Sequence, residues 1–112
     1  IFILNNQYMG MVRQWQELLH EKNYSESYTA ALPDFVKLAE AYGCVGIQAK
    51  KPDELDEKIN EMLNINKPVI FDCCVDPNEN CFPMIPSGKP HNQMLLGPED
   101  EEEISSEGKV LV

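Results

Sequence analysis

Three short runs of β-forming residues, 1–4, 45–49 and 69–75, alternate with segments whose apolar residues recur at helical spacing. That alternation constrains the fold more than any other feature. A chain that follows each strand with a crossover helix builds a parallel sheet, and so an α/β architecture. Ile1, Phe2, Ile3 and Leu4 leave no polar face, which predicts a strand buried on both sides of such a sheet. Residues 69–75, Val-Ile-Phe-Asp-Cys-Cys-Val, form the clearest strand.

Between the strands, Met11, Val12, Trp15, Leu18 and Leu19 fall at i, i+1, i+4, i+7 and i+8, one face of a helix that should fade near 21–23. Residues 23–32 are polar and mixed, and are expected to form a loop. Pro33 suits the first turn of a second helix lined by Phe35, Leu38, Ala39 and Tyr42, and Gly43 is placed to end it in the left-handed conformation. Pro52 opens a third helix, with Asp53 and Glu54 near its positive end and Leu55, Ile59, Met62 and Leu63 as its buried stripe. Three strands and three helices make a thin layered structure, so companion strands are expected outside this segment. The chain also begins at Ile1 within an apolar strand, as a piece of a longer protein would.

Beyond Asp76 the chain reads as loop, punctuated by Pro77, Pro83, Pro86, Gly88 and Pro90, with a short helical turn expected around 92–96. The acidic run Glu99-Asp100-Glu101-Glu102-Glu103 predicts a solvated, flexible tail over 98–112, leaving 1–97 as the folded part. No internal repeat is visible.

The net charge of −10, with few and scattered basic residues, argues against a nucleic-acid partner. No apolar run approaches the ~20 residues that span a bilayer, and the opening run is too short for a signal peptide. The four cysteines, at 44, 73, 74 and 81, form no CxxC pair. Neighbours 73 and 74 would point to opposite faces of a strand, a poor start for a tetrahedral zinc site, so packed reduced thiols are expected. His20 and His91 stand alone and read as surface residues. Asp72 and Asp76 flank the carboxyl end of a strand but have no partner nearby in sequence, so both read as structural. Arg13, on the polar side of its helix, receives no role.

Chemistry is suggested by an order: strand, Asn5-Asn6, Gly10, helix. Ligands of open parallel sheets bind beyond the carboxyl ends of strands. A helix N-terminus there favours a phosphate, and an Asn amide oxygen is a hard ligand suited to Mg²⁺ on a diphosphate. The plainer alternative is an ordinary turn, because Asn and Gly are common turn residues and no P-loop or dinucleotide fingerprint is present.

The words Ile3-Leu4-Asn5-Asn6-Gln7-Tyr8-Met9-Gly10-Met11-Val12-Arg13-Gln14-Trp15-Gln16, residues 33–43 and Phe82-Pro83-Met84-Ile85-Pro86-Ser87-Gly88 closely resemble the catalytic large subunits of the acetohydroxyacid (acetolactate) synthases. The resemblance covers residues 1–96. The double Asn alone would mark only thiamine-diphosphate enzymes; the Gly-Met-Val-x-Gln-Trp word narrows it to this family.

The resemblance implies that this is the C-terminal part of a thiamine-diphosphate-binding domain. Asn6 would be a side-chain ligand of Mg²⁺ and Tyr8 would offer its backbone carbonyl. Gly10 and Met11 would lie against the cofactor, while Trp15 and Ser87 would line the substrate and herbicide pocket. No side chain of the segment would serve as general acid or base. The implied reaction decarboxylates pyruvate and joins the remaining two carbons to a second 2-ketoacid, pyruvate or 2-ketobutyrate, in branched-chain amino-acid synthesis. Trp15 would favour 2-ketobutyrate. The family also implies FAD, bound outside this segment. It implies a homodimer or higher oligomer with active sites at the subunit interface, and in some members a regulatory small subunit. The location would be cytoplasmic in a bacterium, or an organelle stroma or matrix in a eukaryote.

The family's Gly-Asp-Gly word, whose Asp would be the other protein ligand of Mg²⁺, does not occur here. Nor does the domain that supplies the activating glutamate from a partner chain. The segment alone is therefore expected to be inactive. The alternatives are another carboligase, such as the catabolic acetolactate synthase without FAD, against which Trp15 argues, and a non-catalytic α/β interaction module.

Overall fold

The computed structural model describes residues 1–98. The expectation of a flexible tail therefore falls, from Glu99 on, outside the described residues. The described residues form two compact units, one of residues 1–7 with 30–78, the other of residues 8–29 with 79–98.

The first unit holds the sheet. β1 (Phe2–Asn5), β2 (Val45–Ala49) and β3 (Val69–Cys74) are parallel, in the order β1-β3-β2. The register sets Phe2, Phe71 and Ile47 in one row and Ile3, Asp72 and Gln48 in the next. Because side chains alternate across a sheet, these rows face opposite sides. On the first side lies the core, Ile47, Ala49, Phe71 and Cys73, with Leu55, Met62 and Ile65 packed against it. Those residues belong to α3 (Leu55–Asn64) and its C-terminal end, and Pro52 opens a 3-10 turn, Pro52–Glu54, that runs straight into the helix. Ile65 takes the core position that Leu63 was expected to hold; Leu63 is exposed.

The other side is covered by α2 (Phe35–Ala41). Pro33 lies before this helix rather than in its first turn, and Asp34 is the N-cap, its carboxylate accepting from the Lys37 N–H at 3.0 Å. At the far end Gly43, at φ +72°, donates to Glu40 and Cys44 donates to Ala39, the paired bonds of a Schellman ending. The inward face is Phe35, Val36 and Ala39; Tyr42 is exposed. Val36 matters because α2 comes so close to β2 that a Cβ on Gly46 would lie 2.7 Å from the Val36 Cα.

β1 departs from its expected burial. Ile1 is 79% and Leu4 68% exposed, although Phe2 stacks on Phe71 at 4.6 Å between centroids. The strand is at the sheet edge, and the helices of this unit pack chiefly on β2 and β3. An all-apolar sequence signals a strand made for cover on both faces; it does not say which chain supplies the cover.

The Asp34 cap makes a pH dependence readable. Its bonds from Lys37, backbone first and side chain second, hold its carboxyl below the usual Asp value. A depressed carboxyl contributes stability above its unfolded pKa of about 3.9, and that contribution disappears as pH falls through the lower folded value. Carboxyl-carbon NMR titration should show Asp34 ionising below an ordinary Asp. A midpoint at or above the ordinary value would remove the cap from the account of α2.

The second unit contains α1 (Gly10–Leu19). The apolar face read from its period is mostly outside: Met11, Val12 and Trp15 are exposed, and only Leu18 is buried, joined by Leu95, Leu19, Phe82 and Met84 in a small core. Arg13 and Gln14 are buried instead. The inversion is sustained because both polar side chains find partners, so neither is left unpaired. The helix stops at Leu19, short of the predicted 21–23, where Glu21 and Lys22 take positive φ. The helical turn expected over 92–96 is a 3-10 turn, His91–Gln93, followed by an antiparallel bridge between Leu95 and Met84.

Candidate cofactor site

The carboxyl end of β1 is organised by Asp72, which is 3% exposed. Its Oδ1 accepts from the Asn5 amide at 2.9 Å and its Oδ2 from the Gln48 amide at 2.7 Å, so one buried carboxylate ties all three strands. The Asn5 oxygen in turn accepts from the Gln7 N–H at 3.2 Å. Both ends of the Asn5 amide are thus engaged, and its role is structural. Gln7 sits in the left-handed region, φ 63°, which turns the chain sharply out of the strand. Asn6, half-buried on this turn, lies just beyond the strand end, where ligands of parallel sheets gather. An acid in the middle of the apolar run 69–75 was the signal for this cluster. Its partners, 67 and 24 residues away, were not visible as neighbours.

In the second unit, Tyr8 forms an antiparallel bridge with Tyr28, their rings 5.1 Å apart, and the Met9 N–H donates to the Ser27 carbonyl at 2.8 Å. α1 begins at Gly10 with Met9 as N-cap; no side chain caps it and no acid lies in its first turn. Such a helix start keeps its positive end for an anion. The chemistry of each group suits the Mg²⁺–diphosphate expected from sequence: in the first unit a neutral amide oxygen at Asn6, and in the second a backbone carbonyl at Tyr8 and an N-terminus at Gly10 and Met11 without competing carboxylates.

Trp15 is 55% exposed on the outer face of α1, beside Met11 and Val12. Ser87 is exposed at the second position of a β-turn in which Lys89 donates to the Pro86 carbonyl at 3.1 Å. Gly88, at φ +80°, occupies the third position, which in this turn type demands positive φ.

Arg13, which sequence reasoning passed over, is the centre of a buried network. Its guanidinium pairs with Glu17 at 2.6 Å, donates to the Asn80 side chain at 3.1 Å and lies over the rings of Tyr8 and Tyr24 at 5.5 and 5.8 Å. Desolvation, and after it the Glu17 carboxylate, push the Tyr24 phenol above its ordinary pKa. Burial, and then Asp72, push the Cys74 thiol up likewise, which keeps it protonated and unreactive. His20 and His91 are exposed, as read from sequence.

Residues 1–73 match the family described as "Thiamine pyrophosphate enzyme, C-terminal TPP binding domain". The chain belongs to this family of thiamine pyrophosphate enzymes. Among curated proteins it is 47% identical over 103 residues to the acetolactate synthase large subunit of Haemophilus influenzae, an overlap of 91% of this chain and 18% of the relative. To the acetolactate synthase large subunit of Cyanidium caldarium it is 46% identical over 96 residues, 85% of this chain and 16% of the relative. To the acetolactate synthase isozyme 3 large subunit of Escherichia coli it is 47% identical over 96 residues, 83% of this chain and 17% of the relative. The chain thus spans about a sixth of the length of these relatives. As part of a thiamine pyrophosphate enzyme, the parallel sheet with its helices is the C-terminal portion of the cofactor-binding domain. Asn6, Tyr8, Gly10, Met11 and Trp15 lie within the matched span and Ser87 beyond it. No helix among the described residues is long and apolar enough to cross a membrane.

Proposed function

We propose that the complete subunit carrying this segment is an acetolactate (acetohydroxyacid) synthase. It would join the two carbons left from pyruvate to a second 2-ketoacid, pyruvate or 2-ketobutyrate, on the route to branched-chain amino acids. The observation that carries the reading is the inverted α1. This helix starts without a cap or an acid and presents Met11, Val12 and Trp15 outward. An apolar face left open directly behind an anion-accepting helix start suits a site that holds a diphosphate at one end and a short ketoacid chain beside it. The names of the relatives support the same reading.

The Asn6 side-chain oxygen and the Tyr8 carbonyl would hold Mg²⁺, and the N–H groups at Gly10 and Met11 would serve the diphosphate. Thiamine diphosphate, when bound, supplies the electron sink that decarboxylation of a 2-ketoacid requires. The chain's own contribution is position and exclusion of water. Trp15 forms a rigid wall that a four-carbon acceptor fills better than a three-carbon one, and Ser87 stands on the loop that bounds the pocket. The Asp ligand of Mg²⁺, the activating glutamate and FAD belong to other parts of the assembly. That assembly is a homodimer or larger, with a regulatory small subunit in some members, in the cytoplasm of a bacterium or in an organelle of a eukaryote.

In the complete subunit, Asn6→Ala should weaken Mg²⁺-dependent binding of thiamine diphosphate by about tenfold or more, the scale of losing support at a metal site. Fluorescence titration with cofactor at several Mg²⁺ concentrations reads this directly. Curves that superimpose on those of the wild type would remove Asn6 from the metal site.

A further inference from the structure

Two buried side chains of α1 have a geometry that the proposed chemistry does not use. Gln14, 1% exposed, behaves like a peptide group facing another peptide group. Its Oε1 accepts from the Cys81 N–H at 2.7 Å, and its Nε2 donates to the Cys81 carbonyl and to the Met84 sulfur, both at 3.1 Å. The preceding residue, Arg13, donates to Asn80, its own charge balanced by Glu17. Both residues therefore grip the same segment, 80–84.

The grip extends along that segment. Met84 and Leu95 exchange backbone hydrogen bonds of 2.9 and 2.7 Å, and Leu95 is buried with Leu18 and Phe82. Two residues after Met84 the turn that carries Ser87 begins. On the helix, Trp15 follows Gln14 directly, about 100° further round the axis. The residue that anchors the loop and the residue that forms the wall thus share one rigid turn.

We propose that Gln14, supported by Arg13, is a positioning residue for acceptor selectivity. It sets the place of the Ser87 turn relative to Trp15, and so the size of ketoacid chain that fits between them. The proposal rests on the pocket assigned above to Trp15 and Ser87. Because Gln14 is sealed from solvent, water cannot replace its bonds, and their loss lets the segment move rather than merely rehydrate. A specificity contact of this kind acts through the gap it maintains. Its removal should change discrimination between acceptors differing by one methylene and leave cofactor binding alone.

The test uses the complete subunit carrying Gln14→Leu, with Asn80→Ala as a second variant that loosens the same segment without emptying the Gln14 position. Two measurements are made on each: hydrogen exchange of the amides of 80–85, and the ratio of the two products when pyruvate and 2-ketobutyrate compete as acceptors. Exchange should accelerate, and the product ratio should shift by roughly five-fold, the worth of one hydrogen bond. Thiamine diphosphate affinity should not change. Faster exchange with an unchanged ratio would reduce Gln14 to a structural tie, and unchanged exchange would show that it does not hold the segment; either overturns the proposal. Trp15→Leu, assayed in parallel, separates this from the underlying reading. If that variant keeps the wild-type ratio, the pocket assignment itself fails, whatever Gln14 does.

Discussion

Gly46→Ala should destabilise the sheet unit by about 3 kcal/mol, the upper end of what overpacking a core costs. The added Cβ would meet the Cα of Val36 at 2.7 Å, its carbonyl oxygen at 2.8 Å and its Cγ1 at 2.9 Å. The Cγ1 could rotate away; the two backbone atoms cannot. Relief requires α2 to lift off β2, and that helix is fixed at one end by the Asp34 cap and at the other by the Gly43 ending. Gly43→Ala is the natural control, because nothing lies within 4 Å of its Cβ position and its φ of +72° costs only the left-handed conformation, roughly 1–2 kcal/mol. Urea denaturation of the complete subunit, followed at a probe in this domain, should rank Gly46→Ala well below Gly43→Ala. The reverse order would mean that α2 can shift freely and that the close approach is not a constraint.

Asp72→Ala should cost a similar amount, about 3 kcal/mol, for a different reason. It leaves the half-buried amides of Asn5 and Gln48 without their acceptor, and each donor so abandoned costs on the order of 1–1.5 kcal/mol before the cavity is counted. Asn5 cannot adapt by turning its amide over, because its oxygen already holds the Gln7 N–H. Gln48 can. Asp72→Asn should therefore be milder than Asp72→Ala: an Asn can keep the bond from Asn5 through its oxygen and donate to a turned Gln48. Thermal and urea unfolding of the two variants, compared with the wild type, read the difference. Equal losses would indicate that the carboxylate charge, and not the pattern of donors and acceptors, is what the strands require.

Much of the sheet is legible in the sequence. The β-rich runs at 45–49 and 69–75 and the helix-period segments between them encode their own conformations locally, and Gly43 ends α2 as its position suggested. The register could not be read, because Asp72 finds its partners on strands distant in sequence. Burial was legible only where the strand or helix is internal: residues 1–4 have the sequence of a covered strand, yet Ile1, Phe2 and Leu4 are exposed. For α1 the period was right, but a period alone does not say which face is covered. Hydrophobic periodicity identifies a helix with two unlike faces, and it assigns the apolar one to the interior by default. Arg13 and Gln14 reverse that default through long-range hydrogen bonds, to Asn80 and Cys81, that no local pattern records. The residues proposed for the cofactor site and pocket were singled out for another reason. Asn6, Gly10 and Trp15 belong to a contiguous word, and a resemblance carried by a contiguous word survives whatever the helix does with its faces.

The interleaving of the two units has a consequence for how the chain is made. Within this segment α1 is synthesised well before the groups that satisfy its inward polar face, Asn80 and Cys81, which are 67 residues further along. The sheet must likewise wait for β3, since β1 and β2 each pair with it and not with each other. At the usual pace of synthesis, about 5–20 residues per second, α1 therefore spends several seconds as a helix with an open apolar face and an unsatisfied polar one. During that interval the nascent segment around Met9, Met11, Val12 and Trp15 is a natural target for a chaperone. Folding speed should then depend on the late-arriving residues 79–95 more than on the helix they complete.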